Sequence, residues 1–242
     1  MYLYLYDAAL ADSKAAGMVA DIEARLTDLG LQGRVGRLGP LKSARELVQS
    51  GLKAGVKTVV AVGTDRTVAE VVNAVVGTGL VMGIIPTGKP SAVAKLLGIT
   101  EGEAAVPILA ARRIELVDVG KINGYYFLTS AEVRGDEHVT LSCDERYTVV
   151  PHDRAKITIN NLTAEARCQD GYLEASIEAQ PRGWLKKWKT QPKSLVPLQH
   201  ATLSASSPTI AVAENFYTTR LPATVEILPQ TLKLVVGRNR VF

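Results

Sequence analysis

The chain is poor in the residues that most often declare a function on their own. It holds only two cysteines, Cys143 and Cys168. That is too few for a disulfide framework, and no Cys/His spacing resembles a zinc site, so both are expected to be buried free thiols. Its three histidines, His138, His152 and His200, have no nucleophile pattern beside them and are assigned no role. No apolar run approaches the roughly 18 residues that a membrane span needs. The apolar start, Met1-Tyr-Leu-Tyr-Leu-Tyr6, stops at Asp7 without a basic region before it, which does not fit a signal peptide. The expected location is the cytoplasm, with a membrane reachable only as a surface. Charge of one sign is in slight excess: the net charge of +4 tilts the chain towards anionic partners without marking a nucleic-acid binder. An apolar fraction of 47% and a charged fraction of 21% are ordinary for a folded globular protein, and disorder is not expected.

What the chain does have is a change of texture part-way along. Over residues 1–112 short apolar runs alternate with amphipathic stretches. The expected strands are 2–6, 32–38, 57–62 and 80–85; the expected helices are one from residue 14 ending near Gly30, then 41–54, 67–76, one opening at Pro90 or Ser91, and 101–111. Strands alternating with helices imply a parallel sheet covered by helices. From about Arg112 onward short β-prone runs follow one another, among them 114–119, 125–133, 137–141, 147–150, 156–160, 164–168, 172–177, 201–205, 209–212, 224–227 and 231–236. Turn signals such as Ile122-Asn-Gly124 and Gln169-Asp-Gly171 separate them. The expected fold class is α/β plus β: an α/β nucleotide-binding-like domain over residues 1–112, and an antiparallel β-sandwich over residues 113–242, with return of the last strand to the first domain left open.

Two loops, after the expected strands 57–62 and 80–85, lie where an open parallel sheet presents its ligands. Phosphoryl transfer asks for backbone that approaches phosphates closely, for positive charge, and for a carboxylate to hold metal or take a proton. The residues Val60-Ala-Val-Gly-Thr-Asp-Arg-Thr-Val-Ala-Glu-Val-Val-Asn73 resemble the glycine-rich motif of diacylglycerol kinases and related lipid kinases, G-G-D-G-T followed by E-x-x-N. Gly83-Ile-Ile-Pro-Thr-Gly-Lys-Pro-Ser-Ala-Val-Ala94 and Leu97-Gly-Ile99 are similar to that family's next strand and loop. Val117 to Phe127 is similar to its opening β-sandwich hairpin, and Pro222 to Val236 to its closing strands. The resemblance implies a nucleotide-binding domain, a lipid-binding sandwich, and, in active relatives, ATP and Mg²⁺ used to phosphorylate a lipid hydroxyl.

The departures fall at the chemistry. Thr64 and Arg66 stand where the family has glycine, and Lys89, Pro90, Ser91 and Ala92 replace its T-x-N-D. The family's N-P-x-S-G turn has no counterpart in Tyr6-Asp-Ala-Ala-Leu10, and of its D-G-E motif only Glu214 stands in. The resemblance places catalysis at Asp65 and Glu214, and cofactor contact at Gly63, Thr64, Arg66, Thr67, Gly88, Lys89 and Ser91, with no metal ligands assigned. Asp65 either serves the chemistry or caps the helix expected from Thr67. Arg66 either replaces a phosphate contact or closes the site by pairing with Asp65. Lys89 either meets a phosphate or is solvated, and Asn73 is expected to bond across to a neighbouring strand end rather than to touch a ligand.

Both tryptophans sit in 181–193 beside Lys186, Lys187, Lys189 and Lys193. Trp184, Lys186, Lys187 and Trp188 suit an anionic membrane surface, since indole prefers the interface and each nearby lysine adds about 1 kcal/mol; the alternative is a basic hairpin whose rings pack on its own sandwich. Two functional readings follow: a lipid-kinase-like protein with catalysis lost or weakened, acting by ligand, membrane or partner binding, or a working ATP- and Mg-dependent lipid kinase. Nucleic acid is not an expected partner, and a homo-oligomer fits either reading.

Overall fold

The computed structural model describes residues 1–40, 42–88, 90–134, 139–151, 155–164, 166–179 and 193–242. Lys89, Trp184, Lys186, Lys187 and Trp188 lie outside the described residues. The chain divides into two units, Met1–Val117 with Gln230–Phe242, and Asp118–Pro229.

In the first unit the chain runs β1 (Tyr2–Tyr6), α1 (Ala16–Asp28), β2 (Gly33–Arg37), α2 (Ala44–Lys53), β3 (Thr58–Gly63), α3 (Asp65–Val75), β4 (Val81–Pro86), α4 (Ala92–Leu96) and α5 (Val106–Ala111). These strands pair in parallel in the order β2-β1-β3-β4. Every residue of β3 and β4 is buried. A parallel strand covered on both faces has no polar side, so these two read as unbroken apolar runs. α3 buries Val68, Val71, Val72 and Val75, a stripe spaced by three and four residues. α2 starts later than the expected residue 41 because Ser43 and Glu46 form a capping box: Glu46 N donates to Ser43 Oγ at 3.3 Å and Ser43 N to Glu46 Oε2 at 3.1 Å.

The second half continues with β5 (Ile114–Ile122), β6 (Tyr125–Phe127), β7 (Ser130–Arg134), β8 (Val139–Cys143), β9 (Tyr147–Val149), β10 (Ala155–Asn160), β11 (Leu173–Ala179), β12 (Lys193–Leu198), β13 (His200–Ala205), β14 (Ile210–Ala213), β15 (Tyr217–Arg220) and β16 (Ala223–Val235). One antiparallel sheet of the second unit has the order β12-β11-β10-β7-β14-β15, and the other contains β16-β13-β8-β9 with β5 and β6. Phe127, Leu141, Leu203 and Val225 from one sheet and Ile159, Leu173, Ala175 and Ala211 from the other build a common core. The runs expected at 224–227 and 231–236 are one strand. β16 pairs antiparallel with β13 as far as Glu226 and parallel with β4 from Lys233; Pro229, which has no N–H for a ladder, lies between the two pairings. The run expected at 125–133 is split into β6 and β7 at Leu128-Thr129, and the described residues of 164–168 form no strand.

The β6–β7 turn is held from a distance. Glu214, in the turn between β14 and β15, accepts hydrogen bonds at Oε1 from the N–H groups of Leu128 and Thr129 (2.7 Å for the latter) and at Oε2 from the Thr129 hydroxyl at 2.6 Å. Its own N–H donates to Ser130 O at 2.9 Å. One carboxylate thus satisfies two backbone donors that a tight turn would otherwise leave unpaired.

Both cysteines are buried and unbridged. Burial, with the Asp118 charge adding to it, pushes the Cys168 thiol up to about 12. Burial and the nearby Glu23 carboxylate push the Tyr6 phenol up to about 12, and burial raises Tyr4 as well.

Two outcomes follow from this packing. Glu214→Ala is expected to cost about 1–3 kcal/mol, since it strands donors that stay partly buried, and Glu214→Gln, which keeps one acceptor, to cost less; a urea midpoint unchanged by Glu214→Ala would remove its structural role. The raised Cys168, Tyr4 and Tyr6 make the folded chain hold protons that the unfolded chain releases above its ordinary values of 9.0 and 10.0. Their contribution is fully present below about pH 9 and is lost as pH rises towards 12. The urea midpoint should therefore fall between pH 8 and pH 11 (roughly, by those reference values), and a flat profile would contradict the assignment.

Candidate functional site

The carboxyl ends of β1, β3 and β4 bring together Asp7, the Gly63-Thr64-Asp65 turn and the Thr87-Gly88 turn. Backbone bonds fix their spacing: Asp7 N donates to Val62 O at 2.9 Å and Thr87 N to Gly63 O at 2.9 Å.

Asp7 and Asp65 both have their carboxylates engaged by neighbouring loops. Asp7 Oδ1 accepts from Ala9 N at 2.9 Å, and Oδ2 accepts from the Thr67 hydroxyl at 2.5 Å and the Thr64 hydroxyl at 3.5 Å. Asp65 accepts at Oδ1 from the Ser91 hydroxyl and at Oδ2 from Ala92 N at 3.0 Å. Ser91 is buried, and its Oγ in turn accepts from Ala94 N at 2.9 Å, so it caps α4. Asp65 therefore reaches across to α4 rather than capping the helix it begins. α3 starts at Asp65 itself, earlier than the expected Thr67, with Thr64 as its N-cap residue and no side-chain bond there.

Gly63 and Gly88 are both demanded by this geometry. A Cβ on Gly63 would lie 2.4 Å from Thr67 Oγ1 and 2.9 Å from Asp7 Cβ, so only glycine lets that pair meet beneath the turn. Gly88 has φ of +89°, the left-handed region. Thr64 Cγ2 lies 3.9 Å from where a Gly88 Cβ would be, so its methyl group occupies the space between the two turns.

Arg66 donates Nε to Glu70 Oε1 at 3.2 Å on the surface of α3, where its side chain is 66% exposed. An exposed i, i+4 pair of this kind contributes a few tenths of a kcal/mol, by rough estimate. The Asp65 carboxylate meanwhile accepts from Ser91 and Ala92. Asn73 donates Nδ2 to Ala69 O of its own helix at 3.0 Å. Glu214 belongs to the second unit, where it holds the β6–β7 turn. Among the described residues no group of three His, Cys, Asp or Glu side chains is placed to hold a metal ion.

Asp7 is the site residue that the sequence reading passed over. Its signal was present: a lone carboxylate immediately after the strand Tyr2–Tyr6, at the end of the sheet where ligands gather. The absence of the family's N-P-x-S-G turn at Tyr6-Asp-Ala-Ala-Leu10 leaves this aspartate outside any family motif.

Residues 3–122 match the sequence profile of the diacylglycerol kinase catalytic domain. Probable lipid kinases described as YegS-like, from two strains of Pseudomonas aeruginosa, are 35% identical over 104 residues. Those alignments cover 42% of this chain and 34% of each relative, so the matched segment spans about a third of the relatives' length. A crystal structure of a diacylglycerol kinase from Bacillus anthracis superposes with a TM-score of 0.81 at 15% identity, covering 98% of this chain and 97% of that one, which establishes a shared fold. Over residues 3–122 the chain is similar to the diacylglycerol kinase catalytic domain, with Thr64 and Arg66 in the stretch that resembles its glycine-rich motif.

Proposed function

We propose that this protein is a diacylglycerol-kinase-like protein whose nucleotide site has been turned into a structural clasp, leaving catalysis weak or absent, and that it acts by binding a ligand, a membrane surface or a partner. The observation that carries this reading is the engagement of Asp65 by Ser91 and Ala92. A carboxylate that holds Mg²⁺ or activates a lipid hydroxyl has to face the reacting groups; this one faces the opening residues of α4 and draws the second loop against the first.

The residues present fit ATP and Mg²⁺ poorly. A triphosphate is cradled by backbone N–H groups that it can approach without meeting side chains. Here the Thr64 methyl lies between the two turns, and Arg66 adds a side chain at a second position where relatives have glycine. Asp7 adds a second carboxylate at the strand ends, which repels phosphate oxygens.

An anionic membrane surface, met through Trp184, Lys186, Lys187 and Trp188 at the inner membrane face, is the partner this reading favours, on the strength of sequence alone. No helix among the described residues is long and apolar enough to cross a membrane.

Two measurements test the proposal. Thermal denaturation with millimolar Mg·ATP should leave the midpoint where it was. A ligand at 100 times its dissociation constant adds about 2.7 kcal/mol, so a saturable rise of several degrees would revive the working kinase, provided that phosphoryl transfer to mixed lipid vesicles then appears and is lost in Asp65→Asn. For the membrane surface, the chain should sediment with anionic vesicles and Trp184→Ala/Trp188→Ala should not; equal sedimentation of both would remove that partner.

A further inference from the structure

The first unit contains a cavity that has no part in the strand-end site. It measures about 680 Å³ and lies among the segment after α4, helix α5 and the stretch following β16. Small-molecule sites typically measure about 300–1,000 Å³. Its walls are mostly apolar, with Pro107, Ile108 and Ala111 on α5 and Val236 beyond β16. None of Asp7, Thr64, Asp65, Thr67 or Ser91 lines it.

Two arginines, Arg113 and Arg238, line this apolar cavity. The backbone brings them together: Val236 N donates to Arg113 O at 2.9 Å, which sets the residue pair leading to Arg238 beside Arg113. The Arg238 segment is anchored on both sides, by Gly237 N to Leu97 O at 2.9 Å and Val241 N to Leu96 O at 3.0 Å. Among the described residues neither guanidinium forms an ion pair. The acidic side chain nearest Arg113 in the chain, Glu115, is already taken by Arg240 at 2.7 Å. The cavity thus joins apolar walls to two positive charges that have no counter-ion among the described residues.

We propose that this cavity binds an anionic amphiphile, an apolar chain carrying a carboxylate or phosphate head. Arg113 and Arg238 hold the head group, and the α5 face and Val236 cover the chain. A guanidinium matches either head with paired N–H donors, and a head group brought near apolar walls is held more strongly than one in open water. A neutral amphiphile leaves both arginines without a partner, and a small anion leaves the walls wet; only the combination satisfies both halves of the cavity. The proposal does not depend on nucleotide binding or on the strand-end clasp.

The test uses the full chain without nucleotide, and dodecyl phosphate, dodecanoate, dodecanol and inorganic phosphate as probes, the amphiphiles kept below their micelle concentrations. Calorimetric titration should give saturable binding of at least one anionic amphiphile. Dodecanol should bind about tenfold or more weakly, and inorganic phosphate should give no saturable binding in the same range. Whichever anionic head binds more tightly identifies the head-group chemistry. Arg113→Gln/Arg238→Gln should weaken the anionic amphiphile by about tenfold, and Ala111→Trp, which fills the cavity from an exposed helix position, should block it. Circular dichroism confirms that each variant is folded. Equal binding of dodecanol and the anionic probes, or unchanged affinity in the folded arginine variant, overturns the proposal. Should the double variant fail to fold, Arg238→Gln alone, changed at an exposed position, makes the same comparison.

Discussion

The Asp65 carboxylate draws a hydroxyl and a backbone N–H from the loop after β4 onto the turn after β3. Hydrogen bonds to a charged acceptor contribute about 1.5–3 kcal/mol each, more than most surface contacts around them. Ser91 serves both ends at once, its hydroxyl proton directed at Asp65 and a lone pair at Ala94 N, where it caps α4. The Asp65 carboxylate thus ties the start of α4 to the turn after β3, beside the backbone bond from Thr87 N to Gly63 O that already sets the two turns together. Asp7 works in the same way one strand over: its bond to Thr67 ties the end of β1 to the first turn of α3. Three successive strand ends are laced together by carboxylates and hydroxyls, in a region where a sheet of this kind ordinarily stays open to a ligand.

That lacing leaves the rest of the unit unaffected, because the fold rests on other residues. β3 and β4 are buried along their whole length, and α3 lies on them through valines and small side chains. None of these contacts requires a phosphate-binding loop. The loop residues can change while the sheet beneath them keeps its register.

What was legible in the sequence follows the same division. Local period and local turn chemistry marked β1, β3, β4 and α3 nearly to their ends, since buried parallel strands and amphipathic helices leave patterns within a few residues. Bonds between distant parts of the chain leave no such pattern. The Asp65–Ser91 contact spans 26 positions and the Glu214–Thr129 contact 85, and each carboxylate has a plausible local use that hides the distant one. Asp65 looked like a cap for the helix it starts. The runs 224–227 and 231–236 read as two strands, whereas they form one, with Pro229 at the change from an antiparallel to a parallel neighbour. β12 and β15 were missed because their outward faces carry lysine, serine, threonine and arginine, so apolar alternation is weak.

The glycines separate fold from chemistry most sharply. Glycine serves two distinct purposes in a phosphate-binding turn: it permits backbone angles that other residues resist, and it keeps the surface clear for the ligand. At Gly63 and Gly88 the structure still demands it, the first by contact with Thr67 and Asp7, the second by φ of +89°. Thr64 has φ of −84°, and Arg66 lies within the first turn of α3, so neither position needs glycine for its backbone. Filling them removes conformations from the unfolded chain and stabilises the fold by about 0.4–1 kcal/mol each where the native angles suit the new residue. The glycines retained are those the backbone requires, and those replaced are those only a ligand would require. Glycine kept where contact or φ requires it, and replaced where the backbone does not, is the pattern that the proposed loss of phosphate binding predicts.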